Sequence, residues 1–253
     1  MDIRTFAYTG LMTWFDSVIL LVAIFAGATA SVVGFGIGSL LTPLLAVRFG
    51  ANVAVAAVAL PHALATAVRC WRLRADIDRR VLARFGILSA LGALAGALLY
   101  TRLGPTDLTR VLGGLLILTA AAQLTGWSSR WRPHGPIVGV FGLASGFFGG
   151  VAGNQGGLRA AALTAFRLSP VGFVATATAT GILVDLVRTP VYLWNTGGQL
   201  LGLAIPIGLA TAGVLIGTLL GERILLGLSP QRFGQIIGGA IGILGVWLLV
   251  AAS

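Results

Sequence analysis

The sequence predicts an all-α polytopic membrane protein with eight long transmembrane helices and two short broken or re-entrant helices. Three observations lead to this fold class. Hydrophobic residues make up 57% of the 253-residue chain, charged residues make up only 9%, and the mean hydropathy is +0.97. Soluble domains carry about a quarter charged residues, which cover their water-facing surface. The composition therefore excludes a soluble enzyme, a disordered chain and a nucleic-acid-binding module.

Charge-free stretches of about 20 residues, the length of an α-helix that spans a bilayer, define the individual elements. Two stretches are longer than one helix, 17–47 and 189–221. The first contains closely spaced glycines from Gly34 to Gly38, and the second contains the turn signal Asn-Thr-Gly-Gly at 195–198, so we expect a break in each. The predicted long helices are 17–33, 52–71, 84–101, 108–126, 135–152, 171–193, 200–220 and 231–252.

Two shorter apolar segments follow glycine-rich breaks, at 39–49 and 157–167. About eleven residues rise only about 17 Å as a helix, which is roughly half of a membrane span. Irregular backbone at membrane depth is tolerated only inside the protein or beside a water-filled cavity. The two breaks are therefore the first places at which to look for function.

The two breaks belong to an internal repeat. An offset of 119 residues, which grows to 121 farther along the chain, places Gly34 on Gly153, Gly38 on Gly157, Arg69 on Arg188 and Gly96 on Gly217. These matches keep their order and include both breaks, so we interpret the chain as two homologous halves. The predicted organisation is an interfacial N-terminal segment 1–16, a first transmembrane half 17–127, a linker 128–134 and a second transmembrane half 135–253.

The charge distribution bears on the topology. All 17 basic residues are Arg, against seven acidic residues, which gives a net charge of +10. They lie between apolar runs, so we interpret them as loop charges that orient the helices, and we predict no nucleic-acid partner. The segment 72–84 holds five arginines and should be cytoplasmic, whereas the equivalent segment 194–200 holds none. This difference favours inverted repeats. The linker arginines Arg130 and Arg132 fit parallel repeats with eight spans better, so both arrangements stay open.

The glycine-rich breaks are the first candidate anion site. A helix N-terminus offers unpaired N–H groups and the positive end of the helix dipole, and both favour an anion. The alternative is close helix packing, for which membrane proteins commonly use small residues. The amides of Asn154 and Gln155 favour the functional interpretation because buried amides need partners. The candidate substrate-binding residues at the breaks are Gly34, Gly36, Gly38, Ser39, Gly153, Asn154, Gln155, Gly156 and Gly157.

Ionisable residues inside apolar spans form the second candidate, since charge at membrane depth is costly. Arg69 and Arg188 are candidate substrate-binding residues, although Arg69 could instead extend to the lipid headgroups. Asp185 lies three residues before Arg188, so on a helix the two share a face and could neutralise each other. His62 could titrate near neutral pH and, with Asp185, couple the protein to protons. The alternative for His62 is a hydrogen bond to a helix carbonyl.

Enzyme, metal and cofactor sites are not predicted. Cys70 is the only cysteine and there are two histidines, so no cluster has metal-ligand spacing, and no nucleophile lies beside a base. The spacing of Gly34, Gly36 and Gly38 resembles a nucleotide-binding fingerprint in its letters alone, because no strand precedes it. We therefore predict no metal, no cofactor and no enzymatic activity.

The chain resembles the sulfite exporter TauE/SafE family at its two glycine-rich stretches. The first stretch is Gly27-(x)6-Gly34-x-Gly36-x-Gly38, followed by Pro43, and the second runs from Gly142 to Gly157. In that family each half opens with a helix, a glycine-rich stretch, a Pro and an apolar run. Here Ala162 stands at the place of the second Pro, and Asn154 and Gln155 replace small residues.

This resemblance covers nearly the whole chain from about residue 17, and it implies a multi-pass protein of the cell inner membrane. Such a protein would be a secondary transporter that exports sulfite or a related sulfur-containing or organic anion, driven by the proton gradient or the membrane potential. The implied partners are the small anion, the lipid bilayer and protons. The alternative function is a non-transporting structural or assembly membrane protein, in which the breaks serve only helix packing.

Overall fold

Helices make up the structure, a computed structural model that describes residues 14–126, 135–224 and 230–252. Within these ranges there are ten helices and no strands. The helices are α1 (Trp14–Val33), α2 (Ile37–Phe49), α3 (Ala51–Arg72), α4 (Arg79–Tyr100), α5 (Pro105–Thr125), α6 (Pro136–Ala152), α7 (Gly156–Leu163), α8 (Pro170–Leu200), α9 (Ala204–Ile224) and α10 (Pro230–Ala251). The single 3₁₀ turns Arg74–Asp76 and Leu201–Leu203 follow α3 and α8.

Both glycine-rich breaks are confirmed. The break after α1 contains Gly34 and Gly36, whose φ angles are 85° and 137°, and the break after α6 contains Gly153, whose φ angle is 70°. Glycine adopts positive φ angles without the steric penalty of a side chain, so these residues stop one helix and redirect the chain into the next. The helices that follow the breaks are short, with 13 residues in α2 and eight in α7.

The turn predicted at 195–198 is wrong. Helix α8 continues through this Asn-Thr-Gly-Gly segment to Leu200, and the chain turns at 201–203 instead. In apolar surroundings a helix satisfies its own backbone hydrogen bonds, so glycines that would start a turn in water stay helical. Thr196 is also held inside the protein, where its Oγ1 lies 2.7 Å from the hydroxyl oxygen of Tyr100. As a result α8 is 31 residues long.

Five helical segments in the described part of the chain are long and apolar enough to cross a membrane. They are Trp14–Val33, Ala51–Arg72, Arg79–Tyr100, Pro105–Thr125 and Pro170–Gly221, the last of which comprises α8 and most of α9. The chain is therefore a multi-pass membrane protein. Residues 1–13 of the predicted N-terminal segment and the whole predicted linker 128–134 lie outside the described residues.

The first helix of each half packs along the fourth helix of the other half. Helix α1 runs parallel to α9, where a Cβ added at Gly213 or Gly217 would press on the carbonyl of Leu20 or Ile24. Helices α4 and α6 run parallel through the same kind of contact. Glycine at these positions lets two helix backbones approach closely.

The third helices of the two halves, α3 and α8, pack against each other in antiparallel orientation. Their contacts pair His62 with Asp185 and Arg69 with Thr178, so residue numbers rise along one helix as they fall along the other. The fifth helices, α5 and α10, are antiparallel too, with Gly113 against Leu249 and Gly238 against Gln123. The α3–α8 pair is thus one of the contacts that join the two halves.

The two ends of the helix bundle differ in charge. The segment between α3 and α4 lies at what we term the Arg-rich end, which carries the exposed arginines Arg72, Arg74, Arg79, Arg80 and Arg84. The start of α8 lies at this end, because the Asp78 N–H donates to Thr176 Oγ1 over 3.0 Å. At the opposite end the hydroxyl of Tyr100 donates to the carbonyl of Asn52 over 2.9 Å, which joins the end of α4 to the start of α3.

Candidate anion site

Polar side chains line the α3–α8 interface through the depth of the bundle. On α3, His62, Thr66 and Arg69 are spaced by four and three residues, so they share one helix face. On α8, Thr178 and Asp185 bond to this face of α3, and Arg188 and Tyr192 follow farther along the same helix. None of the seven is more than 7% exposed. Buried polar groups at this density, among apolar helices, mark the interface as the candidate functional site.

His62, Asp185 and Arg188 form one hydrogen-bonded cluster, which brings both predicted coupling residues together. The Nδ1 atom of His62 lies 2.7 Å from Asp185 Oδ2. On the other carboxylate oxygen, Oδ1, Arg188 Nε donates over 2.9 Å and Nη2 lies 2.8 Å away. Asp185 thus bonds to both halves of the molecule and neutralises Arg188. Within the described ranges, no group of three or more His, Cys, Asp or Glu residues could hold a metal ion.

Arg188 also holds the end of α6. Its Nη1 donates to the carbonyl of Gly149 over 2.6 Å, and the hydroxyl of Tyr192 donates to the carbonyls of Gly149 and Gly150. These carbonyls belong to the last turn of α6, where the N–H of Gly153 also donates to Gly149 and where positive charge is favourable. The contacts of Arg188 are therefore those of a residue that closes a helix end.

Arg69 differs from Arg188 because no carboxylate bonds to it. Its Nε donates to Thr178 Oγ1 over 2.8 Å, and its Nη1 has no hydrogen-bond partner among the described residues. The side chain is only 4% exposed, so it stays inside the protein and does not extend to the headgroups. Arg69 is thus a buried cation with an unused donor.

Arg159 is a further candidate that the predicted set of substrate-binding residues does not include. It lies on α7, just after the second break, and is 2% exposed. Its Nη2 donates to the carbonyl of Gly34 over 3.3 Å, at the first break, while its Nη1 has no partner in the described part of the structure. A Cβ added at Gly181 would lie 3.1 Å from that Nη1 and 3.3 Å from Thr66. The signal available in the sequence was an arginine inside a short apolar segment.

The α3–α7–α8 region carries an excess of buried positive charge. Arg69, Arg159 and Arg188 are all buried there, and Asp185 is the one buried acid that these arginines share. Arg159 lies close enough to Arg69 and Arg188 for their charges to repel one another. Burying like charges is costly unless something compensates them. A small anion between Arg69 and Arg159 would supply that compensation.

The structure brings the two glycine-rich breaks together. Ser39 Oγ donates to Asn154 Oδ1 over 2.9 Å, and a Cβ added at Gly38 would collide with the carbonyl oxygen of Gly153. Close approach also explains why glycine stands at two further positions, because Gly156 packs against the ring of Phe35 and Gly36 packs against Thr29. The N-terminus of α2 therefore faces a backbone carbonyl, and the contacts here are those of tight packing.

The amides beside the second break keep unused hydrogen-bonding groups. Asn154 Nδ2 and both polar atoms of the Gln155 side chain are buried and have no partner among the described residues. Both residues, with Gly157, line a cavity of about 230 Å³ against α5. Its other walls are Leu115, Leu118, Thr119, Ala122, Phe141, Leu158 and Ala161. The amides thus offer uncharged donors next to α7, the helix that carries Arg159.

A comparison with known protein families agrees with the membrane-spanning fold. The family described as sulfite exporter TauE/SafE matches residues 19–248, which is nearly the whole chain. No curated protein and no solved structure matches the chain. A match of this extent confirms the resemblance noted in the glycine-rich stretches. The chain therefore belongs to the sulfite exporter TauE/SafE family of membrane transporters.

Proposed function

We propose that this protein is a secondary transporter that exports a small anion, sulfite or a related sulfur-containing or organic anion, across the cell inner membrane. The observation that carries the proposal is the pair of buried arginines, Arg69 and Arg159, which no carboxylate neutralises through a hydrogen bond. They lie where the two halves meet, the region in which transporters of repeated architecture bind their substrates. Family membership supports transport of this class of anion.

In this proposal Arg69 and Arg159 bind the anion directly. Guanidinium groups donate several hydrogen bonds in a planar fork that suits oxyanions, and charge-assisted hydrogen bonds are stronger than neutral ones. Thr66 lies close to Arg159, near Gly181, and can add a hydroxyl. Arg188 has a positioning role, since Asp185 and the end of α6 already occupy its donors. The membrane potential, negative inside, favours outward movement of an anion by about 2.3 kcal/mol per charge at 100 mV.

The glycine-rich breaks have two roles in the proposal. Gly34 supplies the carbonyl that holds Arg159, and Gly38 and Gly153 allow the close crossing that brings α7 to the centre. Asn154 and Gln155 offer neutral donors along the path of the anion. Replacement of Gln155 by Ala should therefore slow export without loss of protein. If the Q155A and Gly157→Val variants both export sulfite at the wild-type rate, the breaks serve packing alone.

We further propose that His62 and Asp185 couple anion movement to protons. Their side chains form the contact between α3 and α8, close to Arg188 and Arg159. A proton bound by this pair adds positive charge beside the arginines, so it should strengthen anion binding, and the bound anion should equally strengthen proton binding. Sulfite binding that is independent of pH between 5 and 8 would remove this pair from coupling.

The halves 17–127 and 135–253 are proposed to be inverted repeats. The support is that equivalent helices, α3 with α8 and α5 with α10, pack antiparallel. A two-fold axis along the membrane normal would make equivalent helices parallel, whereas an axis in the membrane plane makes them antiparallel. Ten crossings then place the segment 73–78 and the linker 128–134 on one side, because α4 and α5 separate them. The same two helices separate these segments in the parallel arrangement, so the linker arginines fit a cytoplasmic position without favouring parallel repeats, contrary to our expectation from the sequence.

Cysteine labelling tests this topology. Ala75→Cys and Gly202→Cys, each in a Cys70→Ala background, place one exposed thiol at each end of the bundle. A membrane-impermeant maleimide should label the Gly202 variant in intact cells and the Ala75 variant only in inside-out vesicles. Labelling of both variants from the same side would contradict inversion.

Export itself is tested in proteoliposomes loaded with sulfite. The wild-type protein should release sulfite faster than protein-free liposomes, and Arg159→Gln should lower that rate by at least tenfold while it still inserts. A wild-type protein that neither binds nor releases sulfite or related anions would favour the structural or assembly role. Wild-type export by Arg159→Gln would place the anion elsewhere.

A further inference from the structure

A cavity of about 150 Å³ lies at the Arg-rich end, between α1, α3 and α9. Its walls are formed by Ser31, Arg69, Arg72, Leu73, Thr218 and Leu219. Two of these residues are arginines, and Arg69 is one of the two buried arginines in the described part of the chain that form no hydrogen bond with a carboxylate. The cavity thus lies beside the proposed anion site, on the side that faces the Arg-rich end. We refer to it as the Arg69 cavity.

Two residues of the Arg69 cavity carry buried polar atoms without a partner among the described residues. They are Arg69 Nη1 and Thr218 Oγ1, and both residues are less than 5% exposed. Threonine hydroxyls in helices usually donate to the carbonyl four residues earlier. Thr211 on the same helix does so over 2.7 Å, and Thr119 on α5 does so as well. Thr218 does not form this hydrogen bond, so its hydroxyl is available to another acceptor.

The residues of the Arg69 cavity have repeat equivalents at the opposite end. The offset of 119 residues places Ser31, Arg69 and Leu73 on Gly150, Arg188 and Tyr192, and the offset of 121 places Ala97 on Thr218. In the second half these equivalents are packed together. Arg188 and Tyr192 donate to the carbonyls at the end of α6, and a Cβ at Gly150 would collide with α4. The same position of the repeat is therefore filled by packed side chains in the second half and forms a cavity in the first.

We propose that the Arg69 cavity is a binding site for one small oxyanion arriving from the Arg-rich side, with Arg69 and Thr218 as its ligands. This inference rests on the proposed function, and it specifies the place at which the anion first binds. The equivalent position at the opposite end is filled by packed side chains, so the anion cannot pass through the protein while it occupies the cavity. The guanidinium supplies charge, and the Thr218 hydroxyl donates to an anion oxygen without adding a charge that would hold the anion too tightly.

Side-specific transport kinetics test the site. Inside-out vesicles present the Arg-rich end to the medium, and the probe is radiolabelled sulfite. Replacement of Thr218 by Val keeps the shape of the side chain and removes the hydroxyl, so it should raise the KM for uptake roughly tenfold and leave kcat unchanged. Thr218→Ser, which keeps a hydroxyl, should restore the wild-type KM. Thr211→Val is the matched control on the same helix and should behave as the wild type.

A wild-type KM in Thr218→Val overturns the inference, and uptake by the wild-type protein in the same vesicles shows that the proposed function survives. A fall in kcat with unchanged KM also overturns it, since that result indicates a packing role. If the wild-type protein takes up no sulfite, both the function and this site are contradicted. Size-exclusion chromatography of each variant confirms that the protein measured is folded.

Discussion

Arg69 and Arg188 occupy equivalent places in the two halves, yet their surroundings are opposite. Arg188 bonds to a carboxylate and to the end of a broken helix, and Tyr192 completes the closure. Arg69 bonds to one hydroxyl, lies beside a cavity, and has Thr66 where the second half has Asp185. The same position therefore closes one end of the bundle and leaves room for a ligand at the other.

The difference shows how a repeat can assign separate roles to equivalent residues. In the second half an acid neutralises the arginine, so that arginine can stabilise the fold at membrane depth. In the first half Thr66 stands at the place of the acid, so in our proposal the charge of Arg69 is available to a ligand. The charge balance of the α3–α8 interface, and not the presence of arginine alone, separates the structural residue from the one that we propose to bind the anion.

Removal of Asp185 should have the largest effect on stability. Asp185→Asn leaves Arg188 without its counter-charge, and breaking a buried ion pair from one side typically costs about 3–5 kcal/mol. We expect a large fall in the melting temperature of the purified protein. The double variant Asp185→Asn, Arg188→Gln removes both charges and should recover a substantial part of that loss. Additive losses in the double variant would show that the two residues do not form the proposed pair.

A side chain at Gly150 should have the next largest effect. Its Cβ would collide with the carbonyl of Ala93, so Gly150→Ala forces α4 and α6 apart, and overpacking of this kind costs about 1–3 kcal/mol. Gly239 has nothing within 4 Å of an added Cβ, which makes Gly239→Ala the matched control. Thermal unfolding in detergent should separate the two variants. Equal stability would mean that the closed end is not closely packed.

Loss of the Tyr192 hydroxyl should have the smallest effect of the three. Tyr192→Phe removes the hydrogen bonds to the carbonyls of Gly149 and Gly150 but keeps the ring, which packs 4.7 Å from that of Tyr100 between centroids. Leaving buried acceptors with one donor fewer costs about 1–3 kcal/mol. We expect the lower part of this range, because Arg188 still donates to Gly149. An unchanged melting temperature would show that Tyr192 does not help to close this end.

Much of the fold follows from sequence features that act locally. The length of the charge-free stretches predicts the long helices, and the closely spaced glycines predict both breaks, because only a local backbone conformation is involved. The Asn-Thr-Gly-Gly segment at 195–198 misled the prediction since its turn signal holds for water-exposed chains. Inside the bundle the backbone keeps its helical hydrogen bonds, and α8 continues to Leu200.

The site was predictable only where its contacts are close in sequence. Asp185 and Arg188 lie three residues apart on one helix, so their pairing follows from spacing alone. The contact of His62 with Asp185 joins residues of different halves, and that of Arg159 with Gly34 joins two distant breaks. Such contacts depend on how the halves pack. Tyr192 also gave no signal, because an aromatic residue in an apolar span normally indicates only packing.

The most direct test of the central claim is the melting temperature of Arg159→Gln with and without sulfite. Within the described residues, Arg159 has no hydrogen bond to an acid and shares Asp185 with two other buried arginines, so its charge is costly to bury, and we predict that Arg159→Gln melts at or above the wild-type temperature without ligand. Sulfite should raise the melting temperature of the wild-type protein and of the exposed control Arg102→Gln, but not that of Arg159→Gln. A sulfite-dependent rise in Arg159→Gln equal to that of the wild type would contradict the account.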